Sequence, residues 1–315
     1  MRFGKQDLIV DELTEQSFKD IDLALFSAGG SISRKYAQIA VDAGAVVVDN
    51  SSAFRMTEGV PLVVPEVNPE AIAQAGIGLR GRSTSGGSVS GGSTSGGPGI
   101  IANPNCSTII MLVAVTPLHR AAGIERMVVS TYQAASGAGA AAMAELEQQT
   151  RQVLNGEPPT CEIFPQQYAF NLFSHNSPLM DNGYNEEEMK MVQETHKIWG
   201  QLEGQQSAIT TTCIRVPVMR AHAESLNLTF SGSLTEQDAR ALLSQAPGVS
   251  LIDQRETNRF PTPLDASHND DVYVGRIRRD ISQPEGKGLD LFVCGDQVRK
   301  GAALNAVQIA ELLLS

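Results

Sequence analysis

The chain of 315 residues carries 24 Lys and Arg against 35 Asp and Glu, a net charge of -11 with a pI near 5.0. That balance argues against a nucleic-acid partner, because phosphate binding needs a basic face, and no apolar run is long enough to cross a bilayer. A hydrophobic content of 42% with 19% charged residues is ordinary for a soluble chain, and the length can bury the cores of two domains.

The opening "MRFGKQDLIVDELTEQ" reads as neither a signal peptide, for want of an apolar core, nor an Arg/Ser-rich, acid-poor transit peptide. "IDLALFSAGG" then predicts a strand ending in a Gly turn, and "SISRKYAQIAVDAG" a helix closed by Gly44. "AVVVDNSS" and "VPLVVPEV" predict two further buried strands. Strands alternating with helices imply a parallel sheet with right-handed crossovers. Residues 80–99, "RGRSTSGGSVSGGSTSGGPG", are low-complexity Ser/Gly sequence and predict a flexible, exposed loop.

Folding resumes at "IIANPNCST". "IERMVVSTYQAAS" is strand-like, and "GAAAMAELEQQTRQVL" is a helix. A Pro-, Asn- and aromatic-rich loop runs from Asn155 to Asn185, and "EEEMKMVQETHKIWG" is the next helix. "AITTTCIRVPV", "ESLNLTFSG", "DDVYVGRIRRD" and "LDLFVCGD" are strands with few helices between them, which predicts an α+β domain with a mixed sheet. The amphipathic "KGAALNAVQIAELLL" closes the chain as a helix.

Two strings mimic a dinucleotide fingerprint. "GIGLRG" (Gly76 to Gly81) matches G-x-G-x-x-G, but Ser/Gly sequence follows it where a helix is required, so it is set aside. "GAGAAA" (Gly137 to Ala142) follows a strand and precedes a helix, yet no acidic residue ends the next strand. The helix N-terminus at "SGAG" suits an anion or cofactor contact, and equally a tight turn of small residues.

Four cysteines, Cys106, Cys161, Cys213 and Cys294, are widely spaced with no CxxC, which suits reduced thiols and argues against a metal site. Cys106 stands apart. Asn105 is a good N-cap, so Cys106, Ser107 and Thr108 open a helix whose dipole and free N–H groups lower a thiol pKa. The other three read as packing. A nucleophilic thiolate needs a proton shuttle, and His222 in "CIRVPVMRAHAES" is a candidate, or simply a loop histidine. Arg215, seven residues upstream in the same predicted strand, requires an anion or ion pair. Tyr132 and Gln133 end a strand, where α/β sites gather; the alternative for both is a surface turn.

Taken together, "NPNCST", "STYQAASGAG", "NEEEMKM", "CIRVPVMRAHAES", "VGRIRRD" and "KGAALNAVQIAE" resemble the aspartate-semialdehyde dehydrogenase family, in order from about residue 7 onward. The stretch from "QQYAFNLF" to "ETHKIW" resembles the plant plastid and cyanobacterial type. The resemblance implies a Rossmann-like doubly wound parallel sheet in an NADP-binding domain at residues 1–105 and a catalytic and dimerisation domain at 106–297. The C-terminal helix, 298–315, returns to the first domain. It also implies NADP-dependent reductive dephosphorylation of L-aspartyl 4-phosphate to L-aspartate 4-semialdehyde, on the route to lysine, threonine and methionine. A homodimer is implied too, in a plastid stroma for a plant or alga and otherwise in the cytoplasm.

By matching motifs, Cys106 forms an acyl-thioester, His222 is the general acid/base and Gln133 orients the substrate. Arg215 grips the substrate carboxylate, and Arg55, Asn105, Glu187 and Lys190 match the phosphate and substrate pocket. Ser27, Ala28, Gly29, Gly30, Ser136, Gly137 and Gln297 match positions near the cofactor. The family's opening strand and "GATGxxG" loop have no counterpart string in the chain, so the first domain is expected to be N-terminally incomplete. Two competing readings follow: a catalytically silent fragment or paralogue that binds a partner subunit, and N-acetyl-glutamyl-phosphate reductase. The latter's Pro-Gly-Cys-Tyr motif differs from "PNCST".

Overall fold

The computed structural model describes residues 2–4, 6–79, 96–201 and 204–314. A two-stranded antiparallel ribbon, β1 (Arg2–Phe3) and β2 (Gln6–Asp7), precedes a three-stranded parallel sheet. That sheet comprises β3 (Leu23–Phe26), β4 (Val46–Asp49) and β5 (Ile100–Ala102), in that order. The central strand β4 is a short apolar run because both its faces are covered, whereas the edge strand β3 leaves Leu25 half exposed. Val47 turns toward α1 (Gly30–Asp42), beside Phe26, Tyr36 and Ala40. Val46 and Val48 turn the other way, onto Ile72 of α2 (Glu70–Gln74) and Ala306, Ile309 and Leu313. The last three lie on the C-terminal helix.

The predicted strand "VPLVVPEV" does not form. Leu62 makes one isolated bridge to Ala102, and Asn68 caps the surrounding turns by accepting the Val64 N–H and donating to the Leu62 carbonyl. Two prolines in eight residues remove the ladder donors a strand there would need. The Ser/Gly loop lies outside the described residues apart from its final residues, and these are anchored. Gly97 bridges Ile77, and a Cβ on Gly96 would sit 2.6 Å from the Gly78 nitrogen.

The helix α3 (Cys106–Ala122) is apolar on every side and is buried from Ser107 to Thr116. Such a helix belongs in the middle of a protein. It packs beneath a seven-stranded mixed sheet built from β6 (Ile124–Gln133), β7 (Phe173–Ser174), β8 (Ala208–Arg215), β9 (His222–Phe230), β10 (Val249–Leu251), β11 (Val272–Arg279) and β12 (Gly288–Gly295). The order is β10-β11-β12-β9-β6-β8-β7, with β10/β11 and β6/β8 parallel and the other pairs antiparallel. Met127, Val129, Leu226, Leu228, Leu291 and Val293 form its inner face with Ile109 to Val115 of α3.

Four further helices complete the fold: α4 (Ala140–Leu154), α5 (Glu186–Ile198), α6 (Glu236–Gln245) and α7 (Pro263–Ala266). A π-turn at Arg299–Ala303 leads into the last helix, α8 (Leu304–Leu314). Helix α6 and strand β10 are absent from the elements read in the sequence, although Thr235 and Asp238 make a local capping box. The helix placed at "SGAG" starts later: Ala135–Ala138 is a 3-10 turn, and α4 begins after Gly139, whose φ is 95°. "CIRVPVMRAHAES" is two strands rather than one strand and its exit. Arg215 ends β8 and His222 begins β9, on opposite sides of β6.

Candidate active site

All three strands of the small sheet run out at one edge, as the topology of parallel sheets dictates for ligand sites. After β3 comes Ser27-Ala28-Gly29-Gly30, after β4 comes Asn50 to Arg55, and after β5 comes Asn103 to Cys106. The last two groups line a cavity of ≈ 270 Å³ together with Ser136, Gly137, Gln297, Val298, Gly301 and Ala302.

Cys106 is the first residue of α3. The Asn105 carboxamide oxygen accepts the Ser107 N–H at 3.0 Å and the Thr108 N–H at 3.4 Å, and its Nδ2 donates to Glu187 at 2.9 Å. A Cβ on Gly301 would lie 2.9 Å from the Cys106 Cβ, so glycine is required for the π-turn to pass this close to the thiol. The expected low pKa is overturned. Burial, followed by the Glu187 carboxylate, pushes the Cys106 thiol up to about 12, against the pull of Arg55, Arg215 and the Ser107 N–H. Desolvation of a charged sulfur outweighs the partial charge of the helix end. Cys213 and Cys294 are buried as packing residues, whereas Cys161 is exposed.

His222 is fully buried. Its Nδ1 accepts the Ala134 N–H at 3.0 Å, while Nε2 finds no hydrogen-bond partner among the described residues. Burial, then the Arg215 guanidinium, pushes its pKa down to about 3. The neutral ring therefore carries its proton on Nε2, and that N–H is the group it offers. A Cβ on Gly137 would fall 3.0 Å from Nε2 and 3.4 Å from an Arg215 nitrogen. Gly137 thus keeps open the space that both side chains face.

Gln133 lies behind the cysteine, donating to Ser107 Oγ at 3.0 Å and Glu187 Oε1 at 3.1 Å, with its own Oε1 unpartnered among the described residues. Glu187 and Lys190 sit one helical turn apart on α5, 3.4 Å from each other. Burial opposes the Glu187 charge, yet His175, Lys190 and the Asn105 and Gln133 amides hold its carboxyl down at about 2. Arg55 and Arg215 are both buried. Arg55 donates to the Asn103 and Asn50 carbonyls and pairs with Glu194 at 3.1 Å, which leaves part of its five-donor fork for a ligand. Arg215 meets His175 Nε2 at 2.7 Å and the Ala134 carbonyl at 3.4 Å.

Tyr132 is on the opposite face of the sheet from Gln133, 37% exposed and tilted against Phe292. Ser27 and Ala28 line a different, mainly apolar cavity with Phe18, Leu25 and Ile32. Gly29 caps α1 with φ 89°, a conformation that leaves the first helical N–H groups facing outward.

Several residues at the site escape the sequence reading. Glu194 binds Arg55 and accepts the Asn105 N–H at 2.7 Å. Asn50 accepts from Asn103 at 2.7 Å, and Asn103 accepts from Asn305 at 2.6 Å. Lys300, 1% exposed, pairs with Glu66 at 2.5 Å and donates to Asn305 at 2.9 Å. The polar position in "IANP" and the Asn in "GAALN" were the available signals, since an amide inside an apolar run needs a partner. Among the described residues there is no cluster of metal-ligating side chains, and no helix is long and apolar enough to cross a membrane.

Residues 1–75 match the model of the semialdehyde dehydrogenase NAD binding domain, and residues 115–300 that of the semialdehyde dehydrogenase dimerisation domain. The chain is 52% identical to the aspartate-semialdehyde dehydrogenase of Prochlorococcus marinus over 313 residues, 99% of this chain and 83% of that protein. It is also 52% identical to the Synechocystis enzyme over 314 residues, covering 100% of this chain and 85% of that one. The crystal structure of aspartate semialdehyde dehydrogenase II from Vibrio cholerae superposes with a TM-score of 0.88 at 45% identity, covering 100% of this chain and 86% of that chain. A second structure of that enzyme, complexed with ASA, gives 0.87. With a nicotinamide-binding domain, a mixed-sheet domain and half its residues shared with cyanobacterial relatives over nearly its whole length, the chain is an enzyme of the aspartate-semialdehyde dehydrogenase family.

Proposed function

We propose that the chain catalyses the NADP-dependent reductive dephosphorylation of L-aspartyl 4-phosphate to L-aspartate 4-semialdehyde through an acyl-thioester on Cys106, in the supply of lysine, threonine and methionine. The observation that carries this reading is the placement of Cys106. A thiol at the capped start of a buried helix opens onto a cavity shared with Arg55, next to Arg215 and an Nε2–H on His222. A plastid stroma in a plant or alga, or otherwise the cytoplasm, goes with the same reading.

The Cys106 sulfur attacks the acyl carbon, the C–O bond to phosphate breaks, and phosphate carries away the thiol proton overall. Arg55 and Lys190 stabilise the departing charge, Arg215 holds the substrate carboxylate as a bidentate fork, and Gln133 and Asn105 fix the reacting carbon. His222 Nε2–H hydrogen-bonds the oxygen on which negative charge develops. A role as base would require the ring to release the Ala134 N–H and move its proton to Nδ1. Glu187 supports the amides of Asn105 and Gln133 from behind.

The residues present fit a nicotinamide dinucleotide. Gly29 and Gly30 open α1 at the sheet edge, with nothing within 4 Å of a Cβ on Gly29, so Ser27 to Gly30 would hold phosphate and Ser136, Gly137 and Gln297 the nicotinamide end. The bound cofactor supplies the hydride that, with a proton, converts the thioester into the aldehyde and restores the thiol.

In this reading residues 1–105 and 298–315 form the cofactor unit and residues 106–297 the catalytic unit. Two such chains pair through the outer face of the seven-stranded sheet, in keeping with the dimerisation-domain match. Oxidation of L-aspartate 4-semialdehyde in the presence of phosphate, followed with NADP and with NAD, tests the activity and the cofactor choice. Quenching with an aspartyl-phosphate analogue and mapping the adduct tests the intermediate. Label on a cysteine other than Cys106, or on none, would overturn it.

A further inference from the structure

Of the non-glycine residues with positive φ among the described residues, Ala221 alone is buried, with φ 69° and no exposed surface. An alanine gains nothing from the left-handed region. Unlike asparagine or aspartate it has no side chain to bond its own backbone there, and the strain persists only where surrounding structure enforces it. Ala221 immediately precedes His222. The enforcing contact is visible. Gln297 Oε1 accepts the Ala221 N–H at 3.0 Å, while its Nε2 donates to Ser136 Oγ. Gln297 is 2% exposed, so neither bond competes with bulk water.

Neighbouring contacts hold the same corner from both sides. Arg220 pairs with the buried Asp296 at 2.7 Å, and Asp296 in turn accepts the Val298 N–H at 2.9 Å and the His268 N–H at 2.7 Å. His222 is in register with Gly295, directly before Asp296 and Gln297. The Ser136 N–H donates to the Met219 carbonyl at 3.1 Å, so Gln297 spans two loops that are already joined by backbone.

We propose that Gln297 is a positioning residue for His222: it holds Ala221 in the left-handed conformation that aims Nε2 into the space beside Gly137. The assignment adds to the cofactor contact proposed for the same residue, which lines the Cys106 cavity, and it rests on the proposed role of His222. Without Gln297 the chain at Ala221 relaxes toward negative φ, and the ring that follows swings with it. A displacement on the scale of an ångström suffices to slow a reaction about 100-fold.

The test uses Gln297→Met, the double variant Ala221→Gly/Gln297→Met, and His222→Asn, assayed with L-aspartate 4-semialdehyde, phosphate and NADP. Thermal unfolding is followed in parallel to show that each variant is folded. Gln297→Met should lose kcat roughly 10- to 100-fold, measured at saturating NADP so that any rise in KM for the cofactor is separated from it. Glycine at position 221 adopts positive φ without strain, so the double variant should recover most of the lost kcat, a rescue that a merely structural defect would not show. A rise in KM for NADP with kcat retained would leave Gln297 a cofactor contact only and overturn the proposal, as would failure of the glycine to rescue. His222→Asn separates the two ideas. If it keeps full activity, the role of His222 itself fails. If it is inactive while Gln297→Met has normal kcat, only the clamp fails.

Discussion

Cys106 and His222 stand in the opposite protonation states from those that a thiolate–imidazolium pair would adopt. Burial pushes the thiol up to about 12 and the imidazole down to about 3, so the resting pair is neutral. Alkylation of Cys106 in the ligand-free protein should therefore keep rising with pH to at least about pH 10, rather than levelling off near the ordinary thiol value. A plateau near pH 7, measured by mass spectrometry of the Cys106 peptide, would refute this.

The histidines also make acid stability predictable. His222 and His175, the latter pushed down to about 4 by burial and Arg215, stay neutral in the fold while the unfolded chain binds protons below about pH 6.5. The unfolded state then holds more protons, so their contribution is full above that pH and is lost as pH falls toward 4 and 3. Glu187, held down at about 2, adds a loss of the same sign between its unfolded value and 2. The melting temperature should drop between about pH 7 and pH 5, and His222→Asn should flatten that slope; an unchanged slope would show that His222 does not titrate on unfolding.

Helix α5 is the element on which the site depends most, because Glu187, Lys190 and Glu194 all project from it. Its start is a capping box: Asn185 Oδ1 accepts the Glu188 N–H at 2.9 Å and Glu188 Oε2 accepts the Asn185 N–H at 2.9 Å. Glu188 also accepts the Cys213 N–H at 3.0 Å through its other oxygen, fastening the helix to β8. Losing the cap in Asn185→Ala should cost about 1 kcal/mol. Glu188→Ala should cost more, roughly 2–6 kcal/mol, because it orphans two buried backbone donors at about 1–3 kcal/mol each. Urea titration with equal m-values checks the order, and a larger loss in Asn185→Ala would contradict it.

At the scale of the whole molecule, the outer face of the large sheet and the end of the Ser/Gly segment give opposite expectations. Tyr132, Ser130 and Val128 alternate outward on β6, with Phe292 beside Tyr132. Pairing of two copies over this face predicts a dimer mass in light scattering and a shift toward monomer for Tyr132→Arg; a monomeric parent protein at micromolar concentration would disprove the pairing. Deleting Ser83 to Ser95 should leave the melting temperature nearly unchanged, since loop-closure entropy varies only logarithmically with length. Extending the deletion through Gly97 removes the bridge to Ile77 and the Gly78 N–H bond to the Gly97 carbonyl at 3.0 Å, and should lower it.

Local pattern alone determined much of this protein. Alternating apolar runs and helical segments specify a parallel sheet followed by a mixed one. Asn105 before a continuous apolar run specifies a capped helix with Cys106 at its head, and the ordered motifs specify the family. Those signals are contiguous, so each can be read without knowing what lies across from it. Tertiary structure alone decided the rest. The Cys106 pKa depends on how much water the fold excludes and on the Glu187 carboxylate, 81 residues away in sequence. The Nε2 proton of His222 follows from one N–H on Ala134. Arg55 meets Glu194, and Gln297 meets Ala221, only after two sheets and three loops have come together. Electrostatics and hydrogen bonding act through space, and no spacing along the chain encodes those distances.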